Sequence, residues 1–154
     1  MNKRKLLIFL AAVGSAALLL GAFGFQYLGE MPPCKLCLWQ RWPHVAAIVI
    51  GVLAIWTGIR ALPWLGAMAA ATTAGIGIYH TGVERDWWEG PTTCTSGPIG
   101  GMSGQDLMAQ IMAAPLVRCD EVPWEMFTLS MASWNAIASL GLVLIWMMAA
   151  VNKA

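Results

Sequence analysis

Charge is what this sequence has least of. Only 11% of its 154 residues are Asp, Glu, Lys or Arg, and nine basic against eight acidic groups leave a formal net charge of +1. No basic patch is left over to neutralise phosphates, which excludes a nucleic-acid binder. There is no Gly-rich nucleotide fingerprint, no internal repeat and no low-complexity tract. Apolar residues are abundant instead: they make up 58% of the chain, with nine tryptophans and ten methionines. A chain this long and this apolar is expected to form one integral membrane domain, residues 1–154.

Four uncharged spans are long enough for a hydrocarbon core of roughly 30 Å, which takes about 20 helical residues. They run from about 6 to 28, 42 to 59, 62 to 83 and 126 to 151. Helices satisfy their own backbone hydrogen bonds in lipid, so an all-α bundle of four transmembrane helices is expected. The first span could instead be a secretory signal, but it exceeds the usual 7–15-residue apolar region of one. Pairs of small residues four apart (Ala17 and Gly21; Ala67, Ala71 and Gly75; Ala132 and Ala136) offer faces for close helix approach.

The basic residues give the orientation. Lys3, Arg4, Lys5, Arg60 and Lys153 fall on one side of a four-span arrangement, and every Asp and Glu falls on the other. The positive-inside rule places both termini and the Arg60 turn in the cytoplasm. Two exported loops follow, at about 29–41 and 84–125, and they hold all four cysteines. Within the second loop, "SGQDLMAQIMAAP" predicts a short amphipathic helix. It starts at Ser103 or Gly104, carries Leu107, Met108, Ile111 and Met112 on one face, and stops at a proline. That face suits either a membrane surface or the loop's own small core. The Trp87–Trp88 pair reads as part of an interfacial aromatic belt, and Glu84 and Asp86 as a solvated face.

Two cysteines lie in each exported loop. Cys94 and Cys119 fit a structural disulfide that would close about 25 residues. Cys34 and Cys37, in "PPCKLCLWQR", would close almost no chain, so a bridge there gains little entropy. Such a Cys-x-x-Cys pair is kept for its reactivity, and Cys34 near a helix start favours a thiolate. A four-cysteine zinc site is disfavoured because Cys94 and Cys119 lack knuckle spacing, so no metal is expected. If the chain is helical from Cys34, Arg41 lies one turn beyond Cys37 on the same face. It would stabilise a thiolate or an anionic oxygen on a bound partner, or else snorkel to lipid head groups. Pro43 either kinks this helix or marks its first turn.

Four spans, a Cys-x-x-Cys followed four residues later by Arg, and a second loop with two separated cysteines resemble the bacterial disulfide bond formation protein B (DsbB) family. "PCKLCLWQR" and "CDEVPWEMFTLSMASWN" carry most of the resemblance, which covers nearly the whole chain. It implies an inner-membrane protein-disulfide:quinone oxidoreductase that reoxidises a periplasmic, DsbA-like thiol oxidase and passes electrons to the quinone pool, ubiquinone or menaquinone. By position, Cys94 would be attacked by the reduced partner, and Cys119 would resolve the mixed disulfide and relay electrons to Cys34 and Cys37. Cys37 and Arg41 would sit at the quinone. His80 falls where the family often has a quinone-side histidine.

Two other readings compete. One is a quinone-linked reductase resembling the vitamin K epoxide reductase family; there, however, the Cys-x-x-Cys belongs to a late span, and here it precedes the second. The other is a non-enzymatic metal-binding membrane protein using its methionines. Those residues lie mostly within the spans, where core packing accounts for them.

Overall fold

The computed structural model describes residues 2–92, 94, 103–113 and 117–152. Five helices and a minimal hairpin make up the described fold: α1 Lys3–Tyr27, α2 Lys35–Thr57, α3 Leu62–Glu84, α4 Gly104–Ala113, β1 Glu125–Met126, β2 Leu129–Ser130 and α5 Met131–Val151. Three of them, α1, α2 and α5, are long and apolar enough to cross a membrane. Helix α3 matches α2 in length but is not in that set.

The four long helices share one core. Ile8 and Ala11 of α1, Ala47 and Ala54 of α2, Ala67 and Ala70 of α3, and Leu142, Trp146 and Ala149 of α5 form a single buried cluster. Large apolar side chains face outward instead, among them Leu20, Trp56, Met68 and Leu144. Small residues inside and large ones outside are the arrangement lipid favours, since helix association there rests on close packing. Ala132 and Ala136 are buried, and a Cβ on Gly77 would meet Ala136 Cβ at 3.1 Å. The small face of α3 runs through Ala67, Ala70, Ala74 and Gly77; Ala71 and Gly75 turn outward, because the 3.6-residue period drifts off a strict four-residue spacing.

Each helix end has a local cause. Cys34 caps α2, its sulfur accepting from Cys37 N, and the helix then runs through Lys35, Gln40 and Arg41 before the uncharged span begins. Pro43 therefore lies inside α2, not at its start. At the far end Gly58 adopts φ +70°, a left-handed stop that suits glycine. Arg4 donates to the carbonyls of Gly58 (3.2 Å) and Ile59 (3.0 Å), tying the start of α1 to the end of α2. This places the N-terminal basic cluster beside the Arg60 turn and the cysteines at the opposite end of the bundle.

Residues 125–130 form the hairpin before α5 begins, its turn made by Phe127 and Thr128 at positive φ. Ser130 then caps α5 by accepting from Ser133 N. Helix α4 starts where Ser103 accepts from Asp106 N. Met108 and Met112 on it are exposed, so they do not cover a loop core. The side chains of Leu107 and Ile111 and the proline stop lie outside the described residues. Trp88 folds back onto α3, stacking on Tyr79 and donating to its carbonyl at 2.8 Å. Trp88 thus packs on α3 with one face while remaining exposed, as Trp87 does, so both stay available to an interfacial belt.

Candidate functional site

The capped start of α2 decides where the chemistry lies. Cys34 and Cys37 bring their sulfurs to 2.9 Å as a thiol pair. Cys37, Gln40, Arg41 and His44 then follow at i, i+3, i+4 and i+7, one helical face. All four line a cavity of about 280 Å³ between α1, α2 and the approach to α5. Apart from Asn135, its other walls are apolar and include Phe25, Trp124 and Met126. Ala17 and Gly21, read in the sequence as packing positions, line this space instead, and a Cβ on Gly21 would touch nothing within 4 Å.

Arg41 is anchored to α1. It donates to Gln26 Oε1 at 2.5 Å and to the Ala22 carbonyl at 3.4 Å, and its guanidinium lies 5.0 Å from the centroid of the Phe23 ring. Its Nε is buried with no partner among the described residues. A fixed cation with one unused N–H on a cavity wall suits an oxygen acceptor on a ligand.

Cys34 faces the other way. It is absent from the cavity wall and belongs to a buried cluster with Leu36, Val83, Cys94 and Cys119. Cys94 and Cys119 are joined in a disulfide across 25 residues, and Cys119 N donates to the Cys94 carbonyl at 2.7 Å. The two cysteine pairs are thus neighbours: Cys34 is inside the cluster of the loop disulfide, and Cys37 packs against that cluster while also lining the cavity. The Cys34 thiol is pushed up from its ordinary value, first by its hydrogen bond to Cys37 and then by burial. The helix start does supply N–H groups that favour a thiolate, as the sequence suggested, but these two effects outweigh them.

Helix α3 contributes His80 and Glu84. His80 Nε2 lies 3.5 Å from Cys34 Sγ and 3.7 Å from Glu84 Oε1, and the ring also hydrogen-bonds the Cys119 backbone. It does not line the cavity; it stands between the two cysteine pairs. Glu84 was read as part of a solvated face, yet its side chain is 3% exposed and bonded to Ser130. The helical period explains the difference: four residues beyond His80, Glu84 returns to the same buried face. Asp86, past the helix end, is exposed as expected.

A polar network that sequence reasoning missed joins these groups. Gln40 Nε2 lies 3.0 Å from His80 Nδ1, and its Oε1 accepts from Asn135 Nδ2 at 2.7 Å. Asn135 Nδ2 also reaches Thr73 Oγ1 at 3.1 Å, and its Oδ1 lies 3.0 Å from His44 Nε2. Donors can be assigned because two members touch backbone carbonyls, which only accept. Gln40 Nε2 meets the Leu36 carbonyl and Thr73 Oγ1 donates to the Gln40 carbonyl, so both amides have one orientation. His80 Nδ1 then accepts from Gln40, and in the uncharged ring the hydrogen is on Nε2, toward Cys34. The available signal was polar residues recurring in apolar spans, which by default mark function.

Cys34, Cys37 and His80 are also a possible metal ligand set, their ligand atoms lying within 4.8 Å of one another. Arg118, beside Cys119, pairs with Asp120 through Nε at 2.9 Å and holds that carboxyl below the usual range.

Comparison with known proteins gives the family. The family model described as "Disulfide bond formation protein DsbB" matches residues 4–149. The chain is 29% identical over 140 residues to disulfide bond formation protein B of Shewanella sp. (strain MR-4), covering 86% of this chain and 79% of the relative. It is 27% identical over 154 residues to disulfide bond formation protein B 2 of Pseudomonas savastanoi pv. phaseolicola, covering 93% and 86%. With disulfide bond formation protein B of Hahella chejuensis the identity is 28% over 159 residues, covering 94% and 92%. No solved structure matches. A cysteine pair held at a helix start, a second pair packed against it, and a match over nearly the whole length place the chain in the DsbB family of membrane disulfide bond formation proteins.

Proposed function

We propose that this protein is a membrane thiol oxidase that reoxidises a periplasmic, DsbA-like dithiol protein and passes the electrons through its two cysteine pairs to a quinone. The observation that carries the reading is that the Cys-x-x-Cys bridges two environments: Cys34 lies within the cluster of the loop disulfide, and Cys37, packed against that cluster, also lines the cavity. A relay between a protein thiol and a lipid-soluble oxidant needs both environments.

The partner's thiolate attacks Cys94, forming a mixed disulfide and releasing Cys119 as a thiolate. A second partner thiolate, and not Cys119 as the resemblance implied, then resolves that bond and leaves with the new disulfide, because attack by Cys119 would only restore the starting bond. Cys119 attacks Cys34 of the oxidised inner pair, which frees Cys37 as a thiolate at the cavity. Cys94 next attacks Cys119, restoring the loop disulfide and releasing Cys34, and His80 Nε2–H is placed to stabilise that sulfur. Two electrons thus rest on Cys34 and Cys37, a reading supported by their being free cysteines beside a bonded Cys94–Cys119 pair.

The cavity fits a quinone ring. Its volume lies near the lower end of small-molecule sites, roughly 300 Å³, its walls are mostly apolar, and Arg41 Nε offers an unused donor. A bound quinone supplies a two-electron, two-proton acceptor. Arg41 would hold a ring oxygen and favour negative charge there and on Cys37. Ubiquinone and menaquinone both meet these requirements.

The topology that goes with this reading has α3 as a fourth span, both termini cytoplasmic and the cysteine end in the periplasm of a bacterial inner membrane. Support comes from the basic residues gathered at the Arg4 end and the acidic ones at the other. The test is anaerobic turnover: purified protein, a reduced thioredoxin-fold dithiol protein and a soluble quinone, followed by quinone absorbance. Quinone loss requiring each of Cys34, Cys37, Cys94 and Cys119 is expected. No loss with either ubiquinone or menaquinone analogues, given a competent partner, would overturn the proposal.

A further inference from the structure

The relay leaves two members of the cavity face unused, Gln40 and His44, and Gln40 has its partners within the network. His44 is 2% exposed and lines the cavity, yet its Nδ1 has no hydrogen-bond partner among the described residues. A buried ring nitrogen without a partner is uncommon in a native fold, and on a residue of the cavity wall it points to a ligand as the missing partner.

The surrounding network fixes what that nitrogen offers. Thr73 spends its single hydrogen on the Gln40 carbonyl at 3.0 Å, so toward Asn135 Nδ2 and His44 Nε2 it accepts. Asn135 presents its amide nitrogen to Gln40 and Thr73 and therefore its oxygen to His44 Nε2. Both neighbours of Nε2 are acceptors, which places the ring hydrogen there. In the uncharged ring Nδ1 is consequently a bare lone pair, able to accept and unable to donate.

We propose that His44 Nδ1 is the contact for a hydroxyl of the reduced ligand, so that the cavity binds the hydroquinone more tightly than the quinone. This inference rests on the quinone reading of the cavity and extends it to the ligand's redox state. A quinone carbonyl carries no hydrogen and would set a lone pair against a lone pair. A hydroquinone O–H brings the donor that Nδ1 lacks. The two walls are then complementary: Arg41 Nε donates to an oxygen in either redox state, and His44 accepts only from the reduced one.

The consequence concerns driving force. A site that holds the reduced form more tightly makes its bound quinone a stronger oxidant, and a tenfold preference corresponds to about 30 mV for a two-electron couple. That assists withdrawal of electrons from Cys37. One hydrogen bond contributes roughly 0.5–1.5 kcal/mol, a preference of about twofold to tenfold.

The experiment uses full-length protein carrying Cys34→Ser and Cys37→Ser, so that neither ligand form can react. Dissociation constants are measured anaerobically for a short-chain ubiquinone and for its quinol. Tighter quinol binding is expected. His44→Phe, which keeps the ring and removes both nitrogens, is expected to reduce the ratio of the two constants about twofold to tenfold. His44→Asn, which restores an acceptor near the δ position, is expected to recover part of the ratio. An unchanged ratio, or parallel weakening of both forms, would overturn His44's role while leaving the cavity a quinone site. Binding of neither form would overturn the quinone reading and this inference together. A measurement on the unmutated ring guards against a folding failure. The chain has two histidines, so ¹⁵N-histidine labelling isolates His44 Nδ1. Its resonance is expected to move with quinol and to stay with quinone, and no movement with bound quinol would refute the contact.

Discussion

Replacing Asn135 with leucine keeps the side-chain size and removes the hub between α2, α3 and α5. The loss can be traced atom by atom. Thr73 Oγ1 keeps its bond to the Gln40 carbonyl, and His44 Nε2 keeps Thr73 Oγ1 at 3.3 Å. Gln40 Oε1 is different, because the 2.7 Å bond from Asn135 Nδ2 is its one partner among the described residues. The variant therefore buries one orphaned acceptor, at a cost of about 1–3 kcal/mol. Bonds between side chains in membrane proteins average only about 0.6 kcal/mol, with a maximum near 1.7, when both partners can find substitutes. The orphaned oxygen belongs to a side chain only 6% exposed, so a loss of about 2 kcal/mol is expected. Equilibrium unfolding in mixed micelles, followed by circular dichroism, would measure it. A cycle with Gln40→Leu should show at least about 0.5 kcal/mol of coupling, because the double variant removes both ends of the bond. A loss below about 0.5 kcal/mol with no coupling would refute the network as a determinant of the bundle.

Gly66→Ala should cost about 1–3 kcal/mol, since the added Cβ would lie 2.6 Å from ring carbons of Trp146, which is fully buried and has no space to swing into; an unchanged unfolding midpoint would argue against this helix contact. The Arg118–Asp120 pair should order the backbone beside Cys119 in a pH-dependent way. Asp120 is depressed in the fold, so its contribution is present above the unfolded carboxyl value of about 3.9 and lost as pH falls through the lower folded value. For so exposed a pair the effect is at most about 1 kcal/mol. The protection factors of the amides of residues 117–120, taken against intrinsic exchange at each pH, should therefore fall on acidification below about pH 4, and Arg118→Ala should remove that dependence. Identical acid sensitivity in the variant would contradict it.

The apolar spans, the loop disulfide and the small helix after Ser103 were legible because each rests on local pattern. The reach of α2 was less so. Lys35, Gln40 and Arg41 interrupt the hydropathy, but the helix continues through them once Cys34 caps it. Cys37 and Arg41 were found because their spacing is one helical turn. Gln40 and His44 fall on the same face and went unassigned, since nothing local says which polar residue in a span meets another helix. Asn135 is far from Gln40 in sequence, and only the packing of α5 against α2 and α3 joins them. Glu84 was misjudged for a related reason: proximity to a loop suggested solvent, while its register with His80 carried it inside.

The central claim is that electrons leave the chain at Cys37 after collecting on two pairs. Its most direct test needs no partner protein. Fully reduced protein, freed of reductant, is mixed anaerobically with excess soluble quinone and the quinol formed per chain is counted. Four thiols predict two quinols per chain, the Cys94→Ser/Cys119→Ser variant predicts one, and Cys37→Ser predicts none. Quinol formation that persists in Cys37→Ser, or a wild-type yield that stops at one, would contradict the relay.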